Sequence, residues 1–350
     1  MRNVKSVVFH IIYWMVAFLI YVFFLFLAIY RYNHYLPADQ KPQLSNYIFW
    51  GVVAGLFTGL ILGSIDILLS SKINSKRSFG FIIFIKSILY ISTLLVGIVM
   101  AAVIISIPEG DNLFSVIDHL LIFNIPTYIF FVIAGISANF ISQVNKKFGQ
   151  GVLLPMFLGK YYHPKVEERI FMFLDLKSST SYAEKLGHLK YSELIQDCFS
   201  DLNSLVPKYK AEIYQYVGDE AVVTWKMKNV SNNINCINFF FEFIGLINKK
   251  AKYYKDKYGF IPEFKSGMNL GDVTVAEVGD IKREIAFHGD VINTASRIQS
   301  MCNMYNKALL VSENLSDKIV LTDEFKKEFI DHVSLRGKTK KVNIYSIQKI

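Results

Sequence analysis

Hydrophobic and polar positions are distributed so unevenly along this 350-residue chain that its two parts read differently. Four apolar runs, at about 8–30, 47–70, 81–107 and 116–143, fill most of the first part. Each is about 20 residues or longer, enough for a helix to cross ~30 Å of hydrocarbon. Lipid offers backbone groups no water, so such runs satisfy their own hydrogen bonds as helices. The first run is too long for a signal peptide and lacks a small-residue cleavage site, which predicts a retained span. Gly149, Gly151, Pro155, Gly159 and Pro164 then predict a connector over 144–168. From Arg169 onward, short strands alternate with amphipathic helices.

Within this second part, RIFMFLDL reads as a buried strand that brings Asp175 to its end. Residues 181–205 have a helical period, and EIYQYVGDEAVVTW reads as two strands around the tight turn at Val217, Gly218 and Asp219. A helix is predicted over about 231–257, further strands in FKSGMNLGDVTVAEV and a short helix in DVINTASRIQSMC. ALLVSENL and HVSLRGKTKKVNIYSI close the chain with strands. The expected organisation is a four-helix transmembrane domain at 1–143, a connector at 144–168 and an α+β domain at 169–350, of ordinary size for one core.

Charge sharpens this picture. The chain carries a formal +9, but no dense Lys/Arg stripe interleaved with aromatics, so nucleic acid is not an expected partner. The basic residues follow membrane topology instead. Arg2 and Lys5 precede the first span, Lys72, Lys76 and Arg77 occupy the 71–78 loop, and Lys146 and Lys147 follow the fourth span. The loops at 31–46 and 108–118 are poorer in net positive charge. This places both termini and the α+β domain in the cytoplasm of a multi-pass inner (plasma) membrane protein. Asp66 and Lys86 fall near the inner ends of spans two and three. They mark either an ion path or interfacial side chains that snorkel and pair across the short loop. His119 reads as an interfacial polar residue. Cys198, Cys236 and Cys302 are far apart and form no CxxC, which predicts reduced packing cysteines rather than a zinc site or disulfide framework.

The candidate chemistry sits at strand ends. Asp175 follows the apolar run Ile170, Phe171, Met172, Phe173 and Leu174 and precedes the polar run Lys177, Ser178, Ser179 and Thr180, which enters a helix. A carboxylate beside backbone N–H groups that open a helix suits metal and phosphate binding. Asp219 is a second carboxylate, held in a turn between apolar strands. Mg²⁺ takes one or two carboxylates together with substrate phosphates. An aspartate at a strand end or turn is equally ordinary turn chemistry, so position alone leaves both readings open.

FLDLKSST, YVGDE and HGDVINTASRIQ, in that order, resemble the successive signatures of class III nucleotidyl cyclases, and the resemblance covers about residues 165–350. It implies a palm-like, ferredoxin-type catalytic fold that works as a head-to-tail homodimer with active sites at the interface. By that resemblance Asp175 and Asp219 are the two metal-binding aspartates, holding two Mg²⁺ or Mn²⁺ per site. Asn293 orients the ribose and Arg297 stabilises phosphate charge, both supplied by the opposite subunit. Their i, i+4 spacing puts them on one helix face. Lys338 falls where related cyclases carry a phosphate-contacting lysine, in a turn where it could also be a plain surface charge. The implied substrate is ATP, bound with the help of Lys177, Ser178, Ser179 and Thr180. One departure stands out: the positions that read adenine in the family, a lysine and an acidic or hydroxyl residue, are Gln215 and Ala286 here. Gln can both donate and accept, whereas Ala offers nothing, and the guanylyl pattern is missing too. The expectation is a membrane-bound adenylyl cyclase. The alternatives are a guanylyl cyclase or a membrane receptor whose cyclase fold is a non-catalytic interaction module. Val-Gly-Asp-Glu is also faintly similar to the GGDEF signature of diguanylate cyclases, in which Asn293 and Arg297 have no place.

Overall fold

The computed structural model describes residues 2–32, 43–73, 78–106, 125–148, 158–227, 234–281, 283–334 and 341–350. It divides into two compact units, Met1–Gln150 and Gly151–Ile350.

The described residues of the first unit form four helices: α1 (Arg2–Tyr32), α2 (Leu44–Ile73), α3 (Phe79–Ser106) and α4 (Ile125–Phe148). All four are long and apolar enough to cross a membrane. The described part of the fourth runs from Ile125, and residues 116–124 of the expected span, His119 among them, lie outside the described residues. Two kinds of contact hold the bundle. Gly55 and Gly59 of α2 lie against the α1 backbone, where an added Cβ would come within 2.6 Å of the Met15 Cα and 2.5 Å of the Ile11 Cα. Small residues allow this backbone approach, which supplies the van der Waals contact that drives helix association in lipid. The second kind is polar. Asp66 and Lys86 are buried and paired with each other, and Ser6 donates to Asp66 at 2.8 Å. The snorkelling part of the expectation is therefore corrected. Both charges face the bundle interior, where pairing offsets the cost of removing them from water. Tyr21 and Thr127 share a 2.7 Å hydrogen bond, and Asn139 donates to the Ile83 carbonyl at 2.9 Å.

In the second unit the strands are β1 (Lys165–Leu176), β2 (Glu212–Val217), β3 (Glu220–Lys226), β4 (Phe264–Val278), β5 (Glu284–His288), β6 (Leu309–Ser312), β7 (Phe325–Val333) and β8 (Val342–Lys349). The helices are α5 (Ser179–Leu205), α6 (Asn235–Lys249), α7 (Ala251–Tyr258), α8 (Asp290–Ser300) and the short α9 (Glu313–Ser316). The strands form one sheet in the order β2-β3-β1-β4-β6-β8-β7, with β5 pairing only the far end of β4. Some expectations shift. Strand β1 begins at Lys165, inside the expected connector, and Tyr161 already packs in the core. The helix expected over 231–257 is two helices meeting at Lys250, and FKSGMNLGDVTVAEV is a single strand.

Six consecutive residues of β1 are buried because the sheet is covered on both faces. Alternation sends Ile170, Met172 and Leu174 into the core shared with α5, α6 and α7. Phe171 and Phe173 point the other way, into a smaller cluster with Val291 and Ala295 of α8 and with Ile285 and Phe287 of β5. Cys198, Cys236 and Cys302 are free and buried, and burial pushes each thiol up to about 12. Such thiols are inert at neutral pH.

Helix α7 is tied to α5 through Asp197, which accepts from Lys257 Nζ, Tyr253 Oη and Tyr258 Oη, each at 2.6 Å. Burial pushes the Asp197 carboxyl up, but these three bonds outweigh it and hold it below the usual range. A carboxylate lowered on folding adds stability above its unfolded pKa, near 4, and loses it as pH falls through the folded value. Asp197→Asn is therefore expected to cost about 1–2 kcal/mol at pH 7, a figure reduced for the partial exposure of both partners. Urea titrations at pH 7 and below pH 4 check this, because the gap between variant and parent is expected to close in acid.

Candidate active site

Asp175 stands at the end of β1, where the strand leaves the core, paired in register with Glu220 of β3 and Lys265 of β4. Asp219 precedes Glu220 in the two-residue turn joining β2 to β3. That turn depends on Gly218, whose φ of 62° favours glycine. Antiparallel register thus brings three acidic residues to one end of the central strands. Burial, and then the charge of Asp219, push the Asp175 carboxyl up, while Lys265 and Gln299 pull it back. Lys265 Nζ lies 3.2 Å from Asp175 Oδ2, and Gln299 Nε2 donates to the same oxygen at 2.9 Å. Glu220 is pushed up to about 7 by burial and by the charges of Asp175 and Asp219. A carboxyl raised on folding costs no stability below its unfolded pKa, and the full penalty is present above about 7.

This donor set is short of positive charge, and a hard cation fits it. Among the described residues no three His, Cys, Asp or Glu side chains form a metal cage. A Mg²⁺ site that draws its other ligands from phosphates and water needs only one or two carboxylates, and Asp175 and Asp219 are the two that could supply them.

The polar run after Asp175 divides in its roles. The Lys177 N–H donates to the Glu263 carbonyl at 2.8 Å, and its Nζ lies 3.3 Å from the Glu263 carboxylate. Lys177 is thus engaged by Glu263, and its N–H does not face an open loop as expected. Ser178 takes a left-handed conformation, φ 56°, and α5 starts at Ser179 with no side-chain cap. The first-turn N–H groups around Ser179 and Thr180 are left to water or a ligand. Burial, and then the charge of Asp219, push the nearby Tyr191 hydroxyl up.

Helix α8 lies on β4 almost backbone to backbone. A Cβ at Gly267 would fall 2.1 Å from the Gln299 nitrogen, so only glycine permits this approach. Asn269 Nδ2 reinforces it by donating to the Val291 carbonyl at 3.1 Å. The buried face of α8 carries Val291, Thr294, Ala295, Ile298 and Gln299. Asn293 is exposed and Arg297 half-buried, away from that face, and among the described residues no hydrogen bond or ion pair engages either side chain. The chain therefore gathers Asp175, Asp219, Glu220, Lys265 and Gln299, and leaves Asn293 and Arg297 outside that group. Lys338 lies outside the described residues.

Gln215 and Ala286 occupy β2 and β5. A register shift between Ile213 and Gln215 places Tyr214 and Gln215 on the same sheet face, since Gln215 pairs Val222 of the smaller cluster. Phe287 meets Tyr214 across the gap, with ring centroids 4.8 Å apart. Both expected purine positions are thus one residue from a ring in that contact. Sequence reasoning did not single out Lys265, Gln299 or Glu220. Lys265 and Glu220 carried a signal, as the residues opposite Asp175 in an antiparallel pairing; Gln299 carried none.

A sequence model described as the adenylate and guanylate cyclase catalytic domain matches residues 161–349. Adenylate cyclase 2 of Rhizobium meliloti is 30% identical over 208 residues, covering 59% of this chain and 57% of that protein. An adenylate cyclase of Anabaena cylindrica is 22% identical over 181 residues, covering 51% of this chain and 36% of that protein. The chain thus spans about half the length, or less, of these curated relatives. Among solved structures, a bacterial light-regulated adenylyl cyclase superposes with a TM-score of 0.52 at 16% identity, over 65% of each chain. That likeness is one of fold.

Proposed function

The chain belongs to the adenylate and guanylate cyclase catalytic-domain family, and we propose on that basis that it is a membrane-bound adenylyl cyclase converting ATP to 3′,5′-cyclic AMP and pyrophosphate. The observation that carries the reading is the convergence of Asp175 and Asp219 at one end of the central strands, with the Glu220 carboxyl raised beside them. Asp175 and Asp219 would hold the metal, two Mg²⁺ or Mn²⁺ per site, which would supply Lewis-acid stabilisation of negative charge on the attacking oxygen and the phosphates. The ribose 3′-hydroxyl loses its proton to water as its oxygen attacks the α-phosphorus in line, and the bond from that phosphorus to the bridging oxygen breaks to release pyrophosphate. Asn293 orients the ribose, Arg297 offsets charge building on the phosphates, and the α5 amino terminus around Ser179 and Thr180 receives phosphate oxygens.

The working unit is a homodimer. Asp175 meets the buried face of α8 through Gln299, whereas Asn293 and Arg297 lie away from it, available to a second subunit. Both termini and the catalytic unit face the cytoplasm, as the basic loops require, and α1–α4 anchor the enzyme in the inner (plasma) membrane. The substrate is assigned to ATP because the curated relatives named above are adenylate cyclases. Gln215 and Ala286 read the purine.

Full-length protein in lipid nanodiscs, given Mn²⁺ with ATP or GTP, tests the proposal by mass spectrometry of the product. Cyclic AMP formed from ATP faster than cyclic GMP from GTP is the expected result. Predominant cyclic GMP would reassign the substrate. No cyclic product from either nucleotide would leave a non-catalytic module.

A further inference from the structure

Among the described residues strand β5 pairs only with β4, through Thr274–Val278, and no second described strand fixes where it sits over the sheet. Its position relative to β2 is set by side chains, and Phe287 is the centre of them. Its ring lies 4.8 Å from Tyr214 of β2 and 5.5 Å from Phe171 of β1, both edge to face. The Arg169 guanidinium lies over the same ring, 4.7 Å from its centroid.

Arg169 is an unusual residue for this place. It occupies a core strand and is 2% exposed. A buried guanidinium is retained only where its donors are satisfied, and here two carboxylates satisfy them. Glu167 accepts from Nε and Glu212 from Nη1, each at 2.8 Å. Glu212 opens β2, the strand that carries Tyr214 and Gln215. Arg169 therefore grips β2 by an ion pair and β5 by its ring, and a desolvated cation over an aromatic face is the strong form of that contact.

We propose that Arg169 is a positioning residue for purine selection. By clamping Phe287 of β5 and Glu212 of β2 to one buried charge, it fixes the separation of Gln215 from Ala286. The inference rests on the reading of those two positions as the purine pocket. It assigns Arg169 no contact with substrate, so chemistry at the phosphates stays intact when the clamp is loosened while discrimination between purines does not.

The test uses full-length enzyme in nanodiscs, with kcat and KM measured for ATP and GTP. In Arg169→Met and in Phe287→Leu the ATP/GTP ratio of kcat/KM is expected to change about fivefold or more, through KM, with kcat for the preferred nucleotide kept within about threefold. The two substitutions combined are expected to do no more than either alone, because they break one link. Phe287→Tyr keeps a ring for the cation and is expected to keep the parental ratio. An unchanged ratio in Phe287→Leu, or a fall in kcat alike for both nucleotides, overturns the proposal. Phe287→Leu leaves no charge unpaired, so it decides the matter even if Arg169→Met does not fold. Gln215→Lys with Ala286→Asp separates the two levels of the argument. If that variant shifts the ratio and the clamp variants do not, positioning alone is wrong; if it does not shift the ratio, the pocket is misplaced and the clamp proposal falls with it.

Discussion

Asp175→Asn and Asp219→Asn are each expected to lower cyclase turnover about 10³-fold or more, the scale seen when a preorganised charge-stabilising group is removed from a transition state. Each replaces a carboxylate with a neutral group of nearly the same volume, so the loss is one of charge at the metal. Stability is expected to move little. Burial and the charge of Asp219 raise the Asp175 carboxyl, so removing its charge relieves a cost to the folded state. Against this, Lys265 loses its ion-pair partner. These effects oppose each other. The measurement is turnover at saturating Mn²⁺ beside Mn²⁺ affinity by calorimetry and the thermal midpoint of each variant. Near-parental turnover in either variant would remove that aspartate from the site. Lost turnover with parental Mn²⁺ affinity would leave it in the site but not at the metal.

Much of the architecture was legible in the residues, and the gaps have physical causes. The first three spans could be read because hydrocarbon imposes a length on any apolar helix. The fourth is described from Ile125 onward, within the apolar run expected to form it. Gly55 and Gly59 were overlooked, because a glycine spacing says which face is narrow only once a partner helix is known. In the second unit the strand ends holding Asp175 and Asp219 were visible from the apolar runs that stop there. Strand β5 was not anticipated. Its five residues pair one neighbour, and they are held by Phe287 and Arg169, which are distant in sequence.

The site shows the same division. Residues that form a motif, from Asp175 through Arg297, could be proposed for the site from the family resemblance. Residues that only support them could not. Gln299 looks like any polar helix residue until α8 is seen lying against Gly267, where its amide reaches Asp175. In the polar run after Asp175, the Lys177 N–H is already engaged by the Glu263 carbonyl, which leaves the N–H groups of the following residues for any ligand. Local pattern identifies which groups can do chemistry, and tertiary pairing decides which remain available for it.

That availability is the basis of a decisive test for a shared site. If the aspartates of one subunit work with Asn293 and Arg297 of its partner, two dead variants must rescue each other in one arrangement and not in the other. Asp175→Asn and Arg297→Ala, co-expressed on differently tagged chains and purified through both tags, leave one interface wholly intact while the other carries both lesions. Such heterodimers are expected to retain about half of parental activity, by the count of sites in a twofold dimer. Placing both substitutions on one chain, paired with an unaltered partner, puts one lesion in each site and is expected to abolish activity. A site built within a single chain predicts the reverse: inactivity when the lesions are on separate chains, and about half activity when they share one. The two models exchange outcomes between the same two preparations, so reduced expression or partial unfolding of a variant cannot imitate the expected pattern. Activity confined to the arrangement with both lesions on one chain would mean that Asp175 and Arg297 act in the same subunit, and that Arg297 turns inward from where the free chain holds it.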